Sequence, residues 1–130
     1  RKNLGADHIL ALCDVNVKHG SHFIIHDRSV EEQAMDVEAQ DGDAVIVTGF
    51  DTGTPPTVEN ILKCKKSVSL PILIGSGLNS GNVHELLDAA DGAIIGSWFK
   101  EDNNWKNPVS FERTKEFMDR VRALREQLGK

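Results

Sequence analysis

The chain has 130 residues, a formal net charge of −5 and a hydrophobic fraction of 39%. This composition is typical of a soluble globular domain and excludes a disordered tail, a collagen and a disulfide-rich mini-protein. The acidic balance argues against nucleic-acid binding, which needs a basic face, and no apolar run reaches the roughly 18–20 residues that span a bilayer. Cys13 and Cys64 have no close metal spacing and no signal peptide is visible, so we expect a cytoplasmic protein, or an organelle-matrix protein if a transit peptide is missing.

The predicted elements alternate between strand and helix, after a helix tail that ends at a capping glycine, Gly5. Short apolar runs predict four strands, at residues 8–17, 44–47, 72–74 and 92–95. Each strand precedes a helix that begins at a capping side chain, namely Ser29, Thr57, Ser80 or Ser110. The chain is therefore predicted to contain four strand–helix units.

Strict alternation of strand and helix predicts an α/β fold with a right-handed parallel sheet. The apolar strands suit a sheet that is covered on both faces. Two architectures remain open, a (β/α) TIM barrel and an open doubly wound sheet. A full barrel needs roughly 200–250 residues, so four units make half of one. Because the chain begins at Arg1 without Met, we interpret residues 1–130 as a single region from a longer barrel.

A half barrel leaves two open sheet edges, which invite pairing with other strands. We therefore expect that a chain of this length is not a stable monomer. Two copies pairing edge to edge, as a homo-oligomer, and a missing N-terminal half barrel are the two arrangements that would cover these edges.

The polar face of the first strand is the most informative feature of the sequence. Alternation places Asp14, Asn16 and Lys18 on one face, and ligands bind at the carboxyl ends of parallel strands. Asp14 and His19 are candidate general acids or bases. Lys18 suits an anion anchor, a Schiff-base nucleophile or an ion-pair partner of Asp14, and we favour the anchor and ion-pair roles. An edge strand with one solvated face is the alternative.

The third and fourth strands both end in glycine–serine loops, Gly75-Ser76-Gly77 and Gly96-Ser97. Glycine lets the backbone approach an anion closely, and helix N-termini present free N–H groups. Two such loops on consecutive units match the phosphate site that many barrels form after their seventh and eighth strands. Plain tight turns are the alternative.

Other polar residues are less specific. Thr48 and Gly49 end the second strand and suit either a ligand contact or a turn, while Asp51 is more typical of a solvated loop carboxylate. A divalent-metal hypothesis arises from one cluster, but its spacing matches no defined ligand pattern, and we predict no metal and no other cofactor. The members of that cluster are Asp14, His19, His22, His26 and Asp27.

Taken in order, these motifs resemble the C-terminal half of the BtpA/SgcQ family across essentially all 130 residues. The resemblance implies a ribulose-phosphate-binding-like TIM barrel about twice this length, with strands five to eight in this chain. One branch of the family is linked to photosystem I biogenesis, and another is described as a nucleosidase or sugar-phosphate enzyme. The motifs are Asp14-Val15-Asn16-Val17-Lys18-His19, Ala44-Val45-Ile46-Val47-Thr48-Gly49, Thr52-Gly53-Thr54-Pro55-Pro56, Ile74-Gly75-Ser76-Gly77, Asp91-Gly92-Ala93-Ile94-Ile95-Gly96-Ser97 and Asn107-Pro108-Val109.

The residues and the resemblance together predict an enzyme of the lyase, hydrolase or isomerase type that binds a small phosphorylated sugar or nucleoside-like ligand. The predicted catalytic residues are Asp14, Lys18 and His19. The predicted ligand-binding residues are Asn16, Thr48, Gly49, Gly75, Ser76, Gly77, Gly96 and Ser97. A non-catalytic assembly or biogenesis factor that retains the barrel is the alternative, because a fold alone does not determine chemistry.

Overall fold

A computed structural model describes residues 1–17, 20, 22–49 and 53–129, without the His22 side chain. The strands are β1 Leu12–Val15, β2 Ala44–Val47, β3 Ile72–Ile74 and β4 Gly92–Ala93. The α-helices are α1 His22–Ile25, α2 Val30–Ala39, α3 Val58–Ser67, α4 Val83–Ala89 and α5 Phe111–Leu128. Short 3-10 turns are formed by Lys2–Leu4, Ser97–Phe99 and Glu101–Asn103.

The four strands are parallel and lie in the order β1-β2-β3-β4. Right-handed connections between neighbours in such an order place all the connecting helices on one face of the sheet. A doubly wound sheet instead reverses its strand order at a switch point. The observed order is that of consecutive barrel units, so the structure fits the TIM-barrel prediction rather than the doubly wound alternative.

The core lies between the sheet and its helices. Val15, Val47 and Ile74 point from adjacent strands to the helical face and are at most 2% exposed. The opposite face is buried at its centre but open at its edges, where Leu12 is 42% and Ile94 48% exposed. The expectation of a sheet covered on both faces is therefore met only in the middle strands. The helix residues in this core include Ala34, Ile61, Cys64, Val83, Leu86, Phe117 and Val121.

Three of the predicted helix caps are confirmed, and one is wrong. The side chains of Ser29, Thr57 and Ser110 each accept a backbone hydrogen bond at the start of a helix. The predicted cap at Ser80 is wrong, because α4 begins three residues later with Asn82 as its N-cap. The first and last strands are also shorter than predicted, and β1 stops where the backbone turns left-handed at the next residue.

Two aspartates tie neighbouring strands together at their amino ends. Asp43, just before β2, accepts a hydrogen bond of 2.6 Å from the Ala11 N–H and pairs with Arg1. Asp91, just before β4, accepts one of 3.0 Å from the Ile72 N–H. The Asp43 carboxylate thus holds the start of β1 against β2, and the Asp91 carboxylate holds the start of β3 against β4.

The hydrogen bond and the ion pair of the Asp43 carboxylate predict a pH-dependent contribution to the stability of the fold. The Ala11 N–H and the Arg1 guanidinium lower the pKa of Asp43, because both favour its ionised form. A carboxylate with a lowered folded pKa stabilises the fold above its ordinary pKa, and this contribution is lost as the pH falls towards the folded value. We expect Asp43→Asn to lower the thermal unfolding midpoint at pH 7, with a difference from wild type that shrinks below about pH 4.

Circular-dichroism melts of both chains at neutral and acidic pH would measure this effect. Asp88→Asn, which changes an exposed carboxylate on α4, is the control and should melt like the wild type. A destabilisation by Asp43→Asn that stays constant across the pH range would contradict the role of ionised Asp43.

Candidate functional site

The carboxyl edge of the sheet brings three predicted site residues together on its open face. A Cβ atom placed on Gly75 would lie 2.5 Å from Thr48 Cγ2 and 3.7 Å from Asp14 Oδ1. The strand register explains this convergence, since Asp14 pairs with Ile46 and the Gly75 N–H donates to the Val47 carbonyl at 2.9 Å. The exposed Asp14 carboxylate and the half-buried Thr48 therefore lie beside Gly75, whose lack of a side chain leaves room for the methyl groups of Thr48 and Ile46.

Asn16 follows Asp14 at the end of β1 and has a left-handed backbone, with a φ of 51°. Asparagine is among the few non-glycine residues that adopt this conformation readily. The Asn16 N–H donates to Gln33 Oε1 at 2.8 Å, so a residue of α2 holds the turn beside the site. Sequence reasoning missed Gln33, because a glutamine inside a helix carries no motif. Lys18 and His19 lie outside the described residues.

The hydroxyl of Thr48 has an unused hydrogen-bonding capacity. Its Oγ1 atom is buried and has no hydrogen-bond partner among the described residues. Leaving a buried polar atom unsatisfied costs about 1–3 kcal/mol, so atoms of this kind commonly bind a water molecule or a ligand. The sequence alone left two roles open for Thr48, a ligand contact and a turn.

The loops after β2 and β3 pack against each other through two glycines. A Cβ on Gly49 would lie 2.2 Å from the Thr54 carbonyl oxygen, and one on Gly77 would lie 2.2 Å from the Pro55 nitrogen. The backbone at residues 54–55 thus comes close to both loops, and only glycine allows that approach. Gly49 and Gly77 therefore have a packing role that does not depend on a ligand.

The segment between Gly77 and α4 is held by asparagine side chains. Asn82 Oδ1 accepts from the Asn79 N–H at 2.8 Å, and Asn82 Nδ2 donates to the Gly77 carbonyl at 3.0 Å. Asn79 Oδ1 in turn accepts from the Gly81 N–H at 2.8 Å. Because these bonds delay the start of α4, the predicted glycine–serine loop is separated from the first turn of the helix.

The second glycine–serine loop lies at the same edge, after β4. Ser97 begins the 3-10 turn, and the Gly96 carbonyl accepts from the Phe99 N–H at 3.2 Å. Among the described residues, no atom lies within 4 Å of where a Cβ on Gly96 would stand. The backbone at Gly96 is therefore sterically accessible, unlike that at Gly77.

The metal hypothesis rested on histidines that follow β1. In the part of the chain that the structure describes, no three His, Cys, Asp or Glu residues are grouped closely enough to hold a metal ion. His26 Nδ1 lies 2.7 Å from the Phe23 carbonyl oxygen, and its ring stacks on the Phe23 ring. His19 and the His22 side chain lie outside the described part.

Both cysteines are free thiols in different surroundings. Cys64 is fully buried, and its pKa is raised to about 11, first by burial and then by the charge of Glu31. Its thiolate is therefore scarce at neutral pH, and Cys64 is a core residue rather than a nucleophile. Cys13 is half-buried in β1.

Among the described residues, no helix combines the length and the apolar character that crossing a membrane requires. The longest of these helices, α5, has 18 residues and many charged side chains on its surface.

A solved structure supports the fold. Thiamine phosphate pyrophosphorylase from Pyrococcus furiosus, which has a TIM-barrel-type fold, superposes with a TM-score of 0.58 over 88% of this chain and 60% of that one. The sequence identity is 17%, so the likeness concerns the fold alone. The four parallel strands of this chain match part of that barrel.

Sequence relatives identify the family. An uncharacterized protein of Pyrococcus furiosus is 42% identical over 88% of this chain and 42% of its own length. An uncharacterized mitochondrial protein of Caenorhabditis elegans is 38% identical over 96% of this chain and 45% of its own length. The photosystem I biogenesis protein BtpA of Synechocystis is 30% identical over 92% of this chain and 41% of its own length.

This chain therefore spans less than half the length of each of these relatives. The family model described as the BtpA family matches residues 1–123. Together with the half-barrel topology, this match shows that the chain belongs to the BtpA family.

Proposed function

We propose that this chain carries part of the active site of a TIM-barrel enzyme, which binds a phosphorylated sugar or nucleoside-like ligand at the carboxyl edge of the sheet. The observation that carries the proposal is the placement of the Asp14 carboxylate and the Thr48 side chain around Gly75 on the open face. Ligands of barrel enzymes bind at this end of the strands. The relatives' greater length leaves room for further site residues outside this chain.

The residues divide the chemistry among them. Asp14 and His19 act as general acid and base, since a carboxylate and an imidazole both exchange protons near neutral pH when suitably placed. Lys18 holds an anionic group of the ligand. Asn16 and the unsatisfied Thr48 hydroxyl bind ligand hydroxyl groups, which supply the hydrogen bond that Thr48 Oγ1 lacks.

Phosphate binding is assigned to the two glycine–serine loops, through backbone N–H groups other than that of Gly75, which donates to the Val47 carbonyl. Gly75, Ser76 and Gly77 form one loop, and Gly96 and Ser97 form the other, at the ends of adjacent strands. The open space at Gly96 favours close approach of a phosphate oxygen. Since α4 starts late, this site relies on loop N–H groups rather than on the N-terminus of that helix.

Two substitutions at Ser76 that differ in charge but hardly in shape test the proposed phosphate site. Ser76→Asp places a carboxylate at the proposed anion site, whereas Ser76→Asn has nearly the same shape without charge. We expect Ser76→Asp to weaken ribose 5-phosphate binding by about tenfold or more relative to Ser76→Asn, because like charges about 4 Å apart near a surface repel strongly. Isothermal titration calorimetry with ribose 5-phosphate and with inorganic phosphate would measure both affinities. Equal binding by the two variants would contradict the assignment.

A second candidate function is that of a non-catalytic assembly factor. It is favoured by the Synechocystis relative, whose name describes a photosystem I biogenesis protein. Such a factor would keep the barrel and its surface but would need no acid–base residue. We propose a cytoplasmic or organelle-matrix location for either function, and the Caenorhabditis elegans relative is itself described as mitochondrial.

A further inference from the structure

Gln33 of α2 reaches the turn that ends β1. Its Oε1 atom accepts a hydrogen bond of 2.8 Å from the Asn16 N–H, and its Nε2 atom donates to the Arg28 carbonyl oxygen at 3.5 Å. Asn16 begins the connection between β1 and α2, and Arg28 lies near the end of that connection. One half-buried side chain thus joins both ends of the segment that follows the first strand.

The start of α2 is a firm support for this contact. Ser29 and Glu32 form a capping box, in which each side chain accepts from the N–H of the other residue, at 3.2 and 2.8 Å. Arg28 also pairs with Asp36 in the second turn of the helix. The Gln33 N–H donates to the Ser29 carbonyl at 3.2 Å, so the backbone of Gln33 belongs to this capped turn. The position of the Gln33 side chain is therefore set by α2 rather than by the sheet.

Asn16 has a backbone conformation that needs such a support. Its φ of 51° is left-handed, which is unfavourable for a residue with a side chain, although asparagine tolerates it better than most. In the described part of the sheet, β1 pairs with β2 as far as Val15, so the acceptor for the Asn16 N–H comes from a helix instead of a strand. Without Gln33, this half-buried N–H would favour a turn towards water, and a change of φ would move the Asn16 side chain with it.

The contact lies on one side of the proposed ligand site. Asp14, two residues before Asn16, has its Oδ1 atom 3.7 Å from the position of a Cβ on Gly75. The loops assigned to phosphate follow β3 and β4 instead, and β2 lies between them and β1. A change at Gln33 should therefore act on the part of the site that follows β1 and leave the phosphate loops as they are.

We propose that Gln33 is a positioning residue, which fixes Asn16 so that its side chain meets hydroxyl groups of the ligand. The inference rests on the proposed function, because that function assigns hydroxyl binding to Asn16 and phosphate binding to the two glycine–serine loops. Gln33 acts through Asn16 rather than by touching the ligand. Loss of its side-chain oxygen should weaken the binding of a phosphorylated sugar but not the binding of inorganic phosphate.

Gln33→Met and Gln33→Glu, made in the full-length protein, test this role. Methionine has a similar length and helix propensity but offers Asn16 no oxygen, whereas glutamate retains one. We expect Gln33→Met to lower the affinity for ribose 5-phosphate about fivefold to tenfold relative to that for inorganic phosphate, which corresponds to the loss of one hydrogen bond. Gln33→Glu should keep this ratio of affinities close to that of the wild type, because comparing the two ligands cancels the effect of the new charge on the phosphate group.

Isothermal titration calorimetry with ribose 5-phosphate and with inorganic phosphate measures this ratio. Gln40→Met is the matched control, since it makes the same substitution at the exposed C-cap of α2. Thermal melts would verify that each variant is folded.

Amide hydrogen exchange followed by NMR gives a second measurement, which needs no ligand. The Asn16 N–H should exchange about tenfold faster in Gln33→Met than in the wild type, because its acceptor is lost, while the N–H of the buried Ile46 in β2 should exchange as before. In Gln33→Glu, the Asn16 N–H should remain protected.

Faster exchange of Asn16 together with a lowered ratio of affinities would support the proposal. An unchanged Asn16 exchange rate in Gln33→Met would overturn it, as would an unchanged ratio or an equal loss of affinity for both ligands. These results would leave the proposed function intact. A wild type that binds ribose 5-phosphate no better than inorganic phosphate would instead overturn the hydroxyl contacts of the proposed function and, with them, the role of Gln33.

Discussion

Gly77→Ala is expected to lower the free energy of unfolding by about 2–4 kcal/mol. Gly77 has a φ of +74°, which strains any residue with a side chain, and its Cβ would lie 2.2 Å from the Pro55 nitrogen and 2.5 Å from the Thr54 carbonyl carbon. These are backbone atoms, so the clash can be relieved only by separating the loops after β2 and β3. Urea unfolding followed by circular dichroism would measure the loss.

Gly53→Ala is the matched control for this prediction. Gly53 also has a positive φ, of +82°, but its Cβ would meet no atom within 4 Å in the part of the chain that the structure describes. Gly53→Ala should lower the free energy of unfolding by only about 1 kcal/mol, which is the cost of placing alanine in a left-handed backbone conformation. The difference between the two variants measures the contact between the loops, and equal losses would show that these loops do not pack as the structure has them.

Asp14→Asn is expected to reduce turnover by about 100-fold to 10,000-fold, because an amide cannot exchange the proton that a general acid or base must transfer. Asp14 is exposed at the carboxyl edge, and asparagine has nearly the same shape, so the fold should be retained. Turnover would be measured with phosphorylated sugars and nucleosides as substrates, and stability by thermal melts. Asp88→Asn on α4 again serves as the control variant.

The same substitution distinguishes the two proposed functions. An enzyme carrying Asp14→Asn should fail to restore the phenotype of a strain that lacks its own family member, although the variant is folded. An assembly factor carrying it should restore that phenotype as the wild type does. Full turnover by a folded Asp14→Asn variant would contradict the acid–base role, whatever the outcome in cells.

Several elements were predictable because local chemistry determines them. The apolar run of β2 and the caps at Ser29, Thr57 and Ser110 lie where the sequence predicts them. A cap is a hydrogen bond between residues three positions apart, so no distant contact is needed to form it. The order of strands and helices likewise predicted a parallel sheet and the convergence of Asp14 and Thr48 at one edge.

The start of α4, the use of Gln33 and the role of Gly77 were not predictable from local pattern. Asn82 uses its side chain to hold the preceding loop, which removes Ser80 as the cap. Gly77 is required because the backbone of residues 54–55 comes from another loop. Such contacts join positions far apart in sequence or depend on a specific path of the backbone.

The sequence by itself thus determined the type of fold and the order of its units, because periodicity and capping are properties of neighbouring residues. Only the tertiary structure decided which side chains meet at the carboxyl edge of the sheet and which glycines are needed for packing. These features depend on how the strands and loops lie side by side.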